Sequence, residues 1–232
     1  MKMEFYPTDL AKIIDDKAFE LNELEIRFIM KQITEALHYL HSNFILHRDI
    51  KPPNVLVDFN GNCVLTDFGL ARSIGSPNKE LTTGVVTRWY RPPEILFGSR
   101  FYGEKVDVWS LGCIFAELIL RRPLFQGTSD IDQLSKIFGI RGTPTKKNWP
   151  DITKLPCYFE FEEVIEIPLG KILLNCSADV IDLIDSMLQL DPKNRPDLKT
   201  VLESELFVIS GVEDIKASFE AKIRHHYASM KK

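Results

Sequence analysis

Cysteine is scarce and scattered in this chain. Cys63, Cys113, Cys157 and Cys176 are the four in 232 residues, and no two form a C-x-x-C pair. That excludes a disulfide scaffold and a zinc ribbon, and it fits reduced thiols in a reducing compartment. Long apolar runs are missing too. The most apolar stretch, Val106–Leu120, carries Asp107 and Glu117 and is too short to span a bilayer. The first residues, MKMEFYPTDL, contain no apolar core of a signal peptide. Excess charge is small: 29 Lys and Arg against 33 Asp and Glu give a formal net of −4. No global electrostatic argument therefore favours nucleic acid or an anionic membrane as a direct partner. Repeats and low-complexity tracts are absent. On these absences the protein is expected to be soluble and intracellular.

What is present suits a packed domain. The apolar share is 44% and the charged share 27%, enough to bury a core in one large domain or a domain with a small appendage. Residues 1–7 read as extended. Thr8 or Asp9 can cap a short helix to about Asp15, and Asn22 or Glu23 opens a longer one to about Ser42. In the longer helix Ile26, Ile29, Ile33, Leu37 and Leu40 step by three and four, one buried stripe. Val55-Leu56-Val57 and Cys63-Val64-Leu65 flank Asn60-Gly61, a strong hairpin signal, and are the two strands the pattern reveals. Residues 70–100 are loop-rich. Helices are predicted over about 106–121, 129–139, 178–190 and 197–206, with an irregular proline-bearing stretch from Gly142 to Gly170. The last twenty residues read as a charged, weakly amphipathic helix. His38 with His41, and His225 with His226, read as helix-surface histidines, because no carboxylate or cysteine completes a metal site.

The chemistry concentrates in His47-Arg48-Asp49-Ile50-Lys51-Pro52-Pro53-Asn54, before the hairpin, and Asp67-Phe68-Gly69, after it. Transfer of a phosphoryl group needs a carboxylate to accept the proton of the attacking hydroxyl, a cation beside the migrating group, and oxygen ligands for magnesium. Asp49 suits the first role and Lys51 the second. Asn54 and Asp67 suit the third, since Mg²⁺ prefers hard oxygen donors. Gly69 permits a sharp turn behind Asp67. Pro92-Pro93-Glu94 follows at a fitting distance.

The order and spacing of these motifs resemble the C-terminal lobe of a Ser/Thr protein kinase of the cyclin-dependent class, over about residues 1–207. The implied fold is mainly α, a kinase-like C-terminal lobe with one or two short β-hairpins and no N-terminal β lobe. Its implied parts are a hinge over 1–8, the lobe over 9–207 and a helical tail over 208–232, with the activation segment spanning 67–94. Thr82-Thr83-Gly84-Val85-Val86-Thr87-Arg88-Trp89-Tyr90-Arg91 is similar to the activation segment of this class; Gly84 stands where a MAP kinase carries Tyr. Ile45–Asp49, Gly75–Asn78, Val85–Tyr90 and Leu96-Phe97-Gly98 are similar to the activating kinases of the general transcription factor H complex.

The resemblance implies roles. Asp49, Lys51, Asn54 and Thr87 form the catalytic set. The backbones of Glu4 and Tyr6 meet adenine, Asp9 meets the ribose, and Leu56 lies under the base; Asp9 can cap a helix at the same time. Lys51, Asn54 and Asp67 complete the ATP site, and Asn54 and Asp67 hold Mg²⁺. Thr82 and Ser76 are phosphosites, with Arg48 and Arg72 receiving the phosphate on Thr82. Val85, Val86 and Arg91 shape the pocket for proline after the target residue. Asp107 organises the catalytic loop, and Glu94 with Arg195 ties the activation segment down. Pro53 and Pro93 depart from the family pattern and read as surface-loop changes. The implied partners are ATP, proteins with Ser/Thr-Pro sites such as cyclin-dependent kinases or the RNA polymerase II C-terminal domain, and a cyclin; the implied location is nucleus or cytoplasm.

One departure is larger. No G-x-G-x-x-G and no V-A-I-K lysine precede the hinge. Either the sequence is a piece of an active kinase or it is an inactive module that binds substrates or regulators. The full set of Asp49, Asn54 and Asp67 favours the first. On either reading the 232-residue chain alone is expected to transfer no phosphate.

Overall fold

The computed structural model describes residues 4–73 and 87–231. A short strand β1 (Thr8–Asp9) leads directly into helix α1 (Leu10–Asp15). Asp9 is its N-cap, accepting from the Lys12 amide at 3.0 Å and pairing with the Lys12 ammonium at 2.9 Å. Helix α2 (Glu23–Ser42) starts in a reciprocal capping box between Asn22 and Glu25. Its predicted stripe is buried against the rest of the molecule.

Strand β2 (Ile45–Leu46) follows, then β3 (Val55–Val57) and β4 (Cys63–Leu65). The β3–β4 hairpin forms as expected, and Gly61 takes φ 72° in its turn. A Cβ there would stand 2.9 Å from the Phe219 ring, so the turn needs glycine for conformation and for space. The hairpin also takes β1 as a third antiparallel strand, with Asp9 opposite Leu56. Strand β5 (Arg72–Ser73) pairs with β2. There are thus five strands among the described residues where two were expected. The three extra ones have two residues each and exist through pairing with distant chain, which no local periodicity announces.

Helix α3 (Pro93–Leu96) precedes α4 (Lys105–Leu120), which is buried around its whole circumference and forms the spine of the core. Pro93 is buried at the start of α3, which corrects its reading as a surface-loop residue. Its missing N–H is no loss at a first helical position. Helices α5 (Asp130–Arg141), α6 (Ala178–Met187), α7 (Leu198–Leu202) and α8 (Val212–Met230) complete the fold. The helix predicted over 197–206 breaks after Leu202, because Ser204 caps a new 3₁₀ turn at Glu205–Phe207.

Helix α8 docks on the main body. Phe219 and Ile223 are fully buried, and Phe219 meets Phe19 and Phe28 edge-on. His226, 4% exposed, reaches Thr8 Oγ1 at 3.2 Å and Asp16 Oδ2 at 2.6 Å. That overturns its reading as a surface histidine, whereas His225 is exposed. The bond from His226 also holds the Asp16 carboxyl below its usual range.

Candidate functional site

Loop 47–54 is shaped from below by one buried carboxylate. Asp107 Oδ2 accepts the His47 amide at 3.0 Å and Oδ1 accepts the Arg48 amide at 2.9 Å. His41 Nε2 lies 2.9 Å from the same Oδ2 and its side chain is only 6% exposed, so His41 is a partner of Asp107 and no surface histidine. Arg48 sits at φ 65°, a left-handed conformation that costs a side chain energy. The two charge-assisted bonds to Asp107 hold that conformation in place. The Arg48 side chain is buried; its Nε donates to Leu70 O at 2.8 Å and a terminal nitrogen donates to the Tyr102 hydroxyl at 2.9 Å.

Above this support stands Asp49, 4% exposed. Its Oδ2 accepts from Lys51 Nζ at 2.7 Å and from Asn54 Nδ2 at 3.0 Å. Its Oδ1 accepts from the Thr87 amide at 3.2 Å and, more weakly, the Thr87 hydroxyl at 3.4 Å. All four residues of the expected catalytic set therefore meet at one carboxylate. The Asn54 amide nitrogen also bonds Asp49 O at 2.8 Å, and no hydrogen bond among the described residues takes up its side-chain oxygen.

Asp67 is exposed and left-handed at φ 62°. Its Oδ1 accepts the Gly69 amide at 3.3 Å, and its second oxygen has no partner among the described residues. The Thr66 amide donates to Asn54 O at 3.0 Å, so the backbones carrying Asn54 and Asp67 adjoin. One carboxylate oxygen and one amide oxygen, neither with a partner among the described residues, fit a magnesium ion that keeps other ligands from phosphate and water. No cluster of three or more His, Cys, Asp or Glu exists among the described residues, so a soft-metal site is not the alternative there.

The residues expected at the hinge are Glu4, Tyr6 and Asp9. Asp9 and Leu56 are paired partners on neighbouring strands. Tyr6 donates its hydroxyl to Glu4 Oε2 at 2.9 Å, which raises the Tyr6 pKa. Arg72 is exposed on β5. Arg91 shares Asp130 with Arg88, at 3.2 and 3.0 Å. Burial lowers the Arg91 pKa. Glu94 and Arg195 form a buried two-pronged pair at 2.7 and 2.8 Å, and Arg195 also lies over the Trp109 ring at 4.9 Å. Ser76, Thr82, Val85 and Val86 fall outside the described residues. Sequence reasoning missed His41 and Tyr102, whose partners lie 66 and 54 positions away.

A family model described as protein kinase domain matches residues 1–207. Cyclin-dependent kinase D-1 of Arabidopsis thaliana is 47% identical over 204 residues, 88% of this chain and 51% of the relative. Cyclin-dependent kinase 7 of Dictyostelium discoideum is 45% identical over 210 residues, 90% of this chain and 58% of the relative. The chain thus spans about half the length of the curated relatives it matches. Among solved structures, a chain of the CAK complex from Chaetomium thermophilum bound to ATP-gamma-S superposes with a TM-score of 0.86 at 40% identity, over 90% of this chain and 67% of that one.

Proposed function

The chain belongs to the protein kinase domain family, with cyclin-dependent kinases as its relatives, and from that premise we propose that it carries the catalytic half of an ATP-dependent Ser/Thr kinase of the activating-kinase branch. The observation that carries the reading is the Asp49 carboxylate held between Lys51, Asn54 and Thr87.

In this reading Asp49 orients the hydroxyl of the target Ser or Thr and takes its proton as the oxygen bonds to phosphorus. Lys51, tethered to Asp49 at 2.7 Å, sets a positive charge beside the migrating phosphoryl group. Asn54 and Asp67 would hold Mg²⁺, which neutralises phosphate charge when bound. Glu4 and Tyr6 would meet the adenine through their backbones, Asp9 the ribose, and Leu56 would underlie the base. Val85, Val86 and Arg91 would select proline after the target. Arg48 and Arg72 would receive a phosphate on Thr82, and Ser76 would be a second, proline-directed phosphosite. The proposed partners are a cyclin and protein substrates with Ser/Thr-Pro sites, among them cyclin-dependent kinases and the RNA polymerase II C-terminal domain; the proposed location includes the nucleus.

The test is label transfer from ATP to a Ser-Pro peptide by residues 1–232 joined to whatever their gene encodes upstream, with the cyclin added. Asp49→Asn should lower the rate by about 10²–10⁴-fold, and a Ser-Ala peptide should remain unlabelled. Label transfer that persists in the Asn variant would overturn the assignment of Asp49.

A further inference from the structure

Between Cys157 and Pro168 the chain runs as YFEFEEVIEI without helix or assigned strand. It is nonetheless pinned along one side. The Thr143 amide donates to Val164 O at 3.0 Å, the Val164 amide to Thr143 Oγ1 at 2.9 Å, and Thr143 Oγ1 to Glu162 O at 2.7 Å. The Ile167 amide donates to Ile140 O at 2.8 Å. Gly142, at φ 74°, passes so close that a Cβ there would stand 3.1 Å from Glu166 N and 3.2 Å from Val164 O. Phe161 packs on Phe138 with ring centroids 4.8 Å apart.

The other side is open. No hydrogen bond among the described residues engages the backbone groups of Glu163 and Ile165. The side chains are open too. Ile165 is 86% exposed, and Phe159, Val164 and Ile167 are exposed beside it. Glu160, Glu162, Glu163 and Glu166 are all exposed, and among the described residues the ion pairs give them a single cation, Arg141, which Glu166 shares with Asp185. A pre-shaped backbone edge with unused hydrogen-bonding groups is a template for strand addition.

We propose that residues 159–167 are a docking edge for an extended segment of a partner protein in which Lys or Arg alternates with aliphatic residues. The carboxylates select the basic positions and Ile165 and Val164 the aliphatic ones. A second copy of this chain would bring four more carboxylates against these four, and an anionic membrane would be repelled likewise, so charge chooses a basic partner. The edge is held in shape before binding, which reduces the ordering cost of docking.

The probe is a ten-residue peptide alternating lysine and valine, titrated into the full chain by fluorescence anisotropy, with a block-scrambled peptide of the same composition as control. The alternating peptide should bind at least tenfold tighter than the scrambled one and slow amide exchange at Glu163 and Ile165. Ile165→Pro removes one unused donor and leaves the Thr143 and Ile140 bonds, so it should weaken binding by about tenfold. Ile165→Val should bind as the native chain does, and the unfolding midpoints should match that of the native chain. Glu160→Lys with Glu163→Lys should weaken binding and flatten its salt dependence. Equal binding of the two peptides, no slowing at those amides, or full binding by the proline variant would overturn the proposal. So would self-association through this edge that the peptide does not compete away.

Discussion

Replacing Glu117 by Gln should flatten the pH dependence of stability between about pH 4.5 and 7. Glu117 is 5% exposed on α4, and its Oε2 has no hydrogen-bond partner among the described residues. Burial pushes its pKa from 4.5 up to about 7; a hydrogen bond from Tyr90 opposes the shift and the charge of Asp15 adds to it. The unfolded chain would ionise this carboxyl near pH 4.5, while the folded protein keeps its proton until about pH 7. Between those values the folded state binds more protons, so stability falls as pH rises. A shift of this size corresponds to about 3 kcal/mol, a sizeable part of the roughly 5–15 kcal/mol that holds a typical domain together.

Gln keeps the shape and the acceptor for Tyr90 but brings an unpaired N–H₂, a cost of about 1–3 kcal/mol that does not vary with pH. The informative quantity is therefore the change in unfolding free energy from pH 5 to pH 8, native against variant. Urea melts suffice: with a slope of about 3 kcal/mol per molar, the native midpoint should drop by about 1 M more than that of the variant. Parallel pH profiles would show that Glu117 is ionised inside the fold at pH 5, and the desolvation argument would fail.

Two further outcomes follow from the geometry. Arg195→Met should cost about 3–5 kcal/mol, because it strands the Glu94 carboxylate in the core, while Glu94→Leu with Arg195→Met should recover much of the loss; a double variant no better than the single one in denaturant melts would contradict this. Asn22→Ala removes one half of the capping box on α2 and should cost about 1 kcal/mol, visible as a melting point lower by a few degrees; an unchanged melt would mean that Glu25 alone secures that end.

What was legible in the sequence had a local cause. The α2 stripe, its Asn22 cap and the Asn60-Gly61 turn each report on residues within one or two turns, and each appears where expected. The chemical loop was legible for another reason: Asp49, Lys51 and Asn54 are so close in sequence that their spacing nearly fixes their meeting. The buried histidines were not legible. His41 and His226 find their partners, Asp107 and Asp16, 66 and 210 positions away, where local pattern gives no sign of them. The β2–β5 pair fails for the same reason, since Leu46 meets Arg72 only after the hairpin folds back.

Asp107 and His41 separate what supports loop 47–54 from what merely packs against it. Asp107 has both oxygens on backbone amides of His47 and Arg48, and His41 adds a third contact to Oδ2. Asp107→Asn puts an N–H₂ where one of those amides donates, so donor faces donor and the left-handed Arg48 loses its restraint. That should cost about 3 kcal/mol, the range for breaking a buried charged hydrogen bond. His41→Leu fills the same space, leaves both amide bonds intact, and should cost about 2 kcal/mol, one hydrogen bond to a charged group. Amide exchange decides between them: His47 and Arg48 should become unprotected in the Asn variant and stay protected in the Leu variant. Equal loss in both would mean that the histidine, through its hold on Asp107, shapes the loop that presents Asp49.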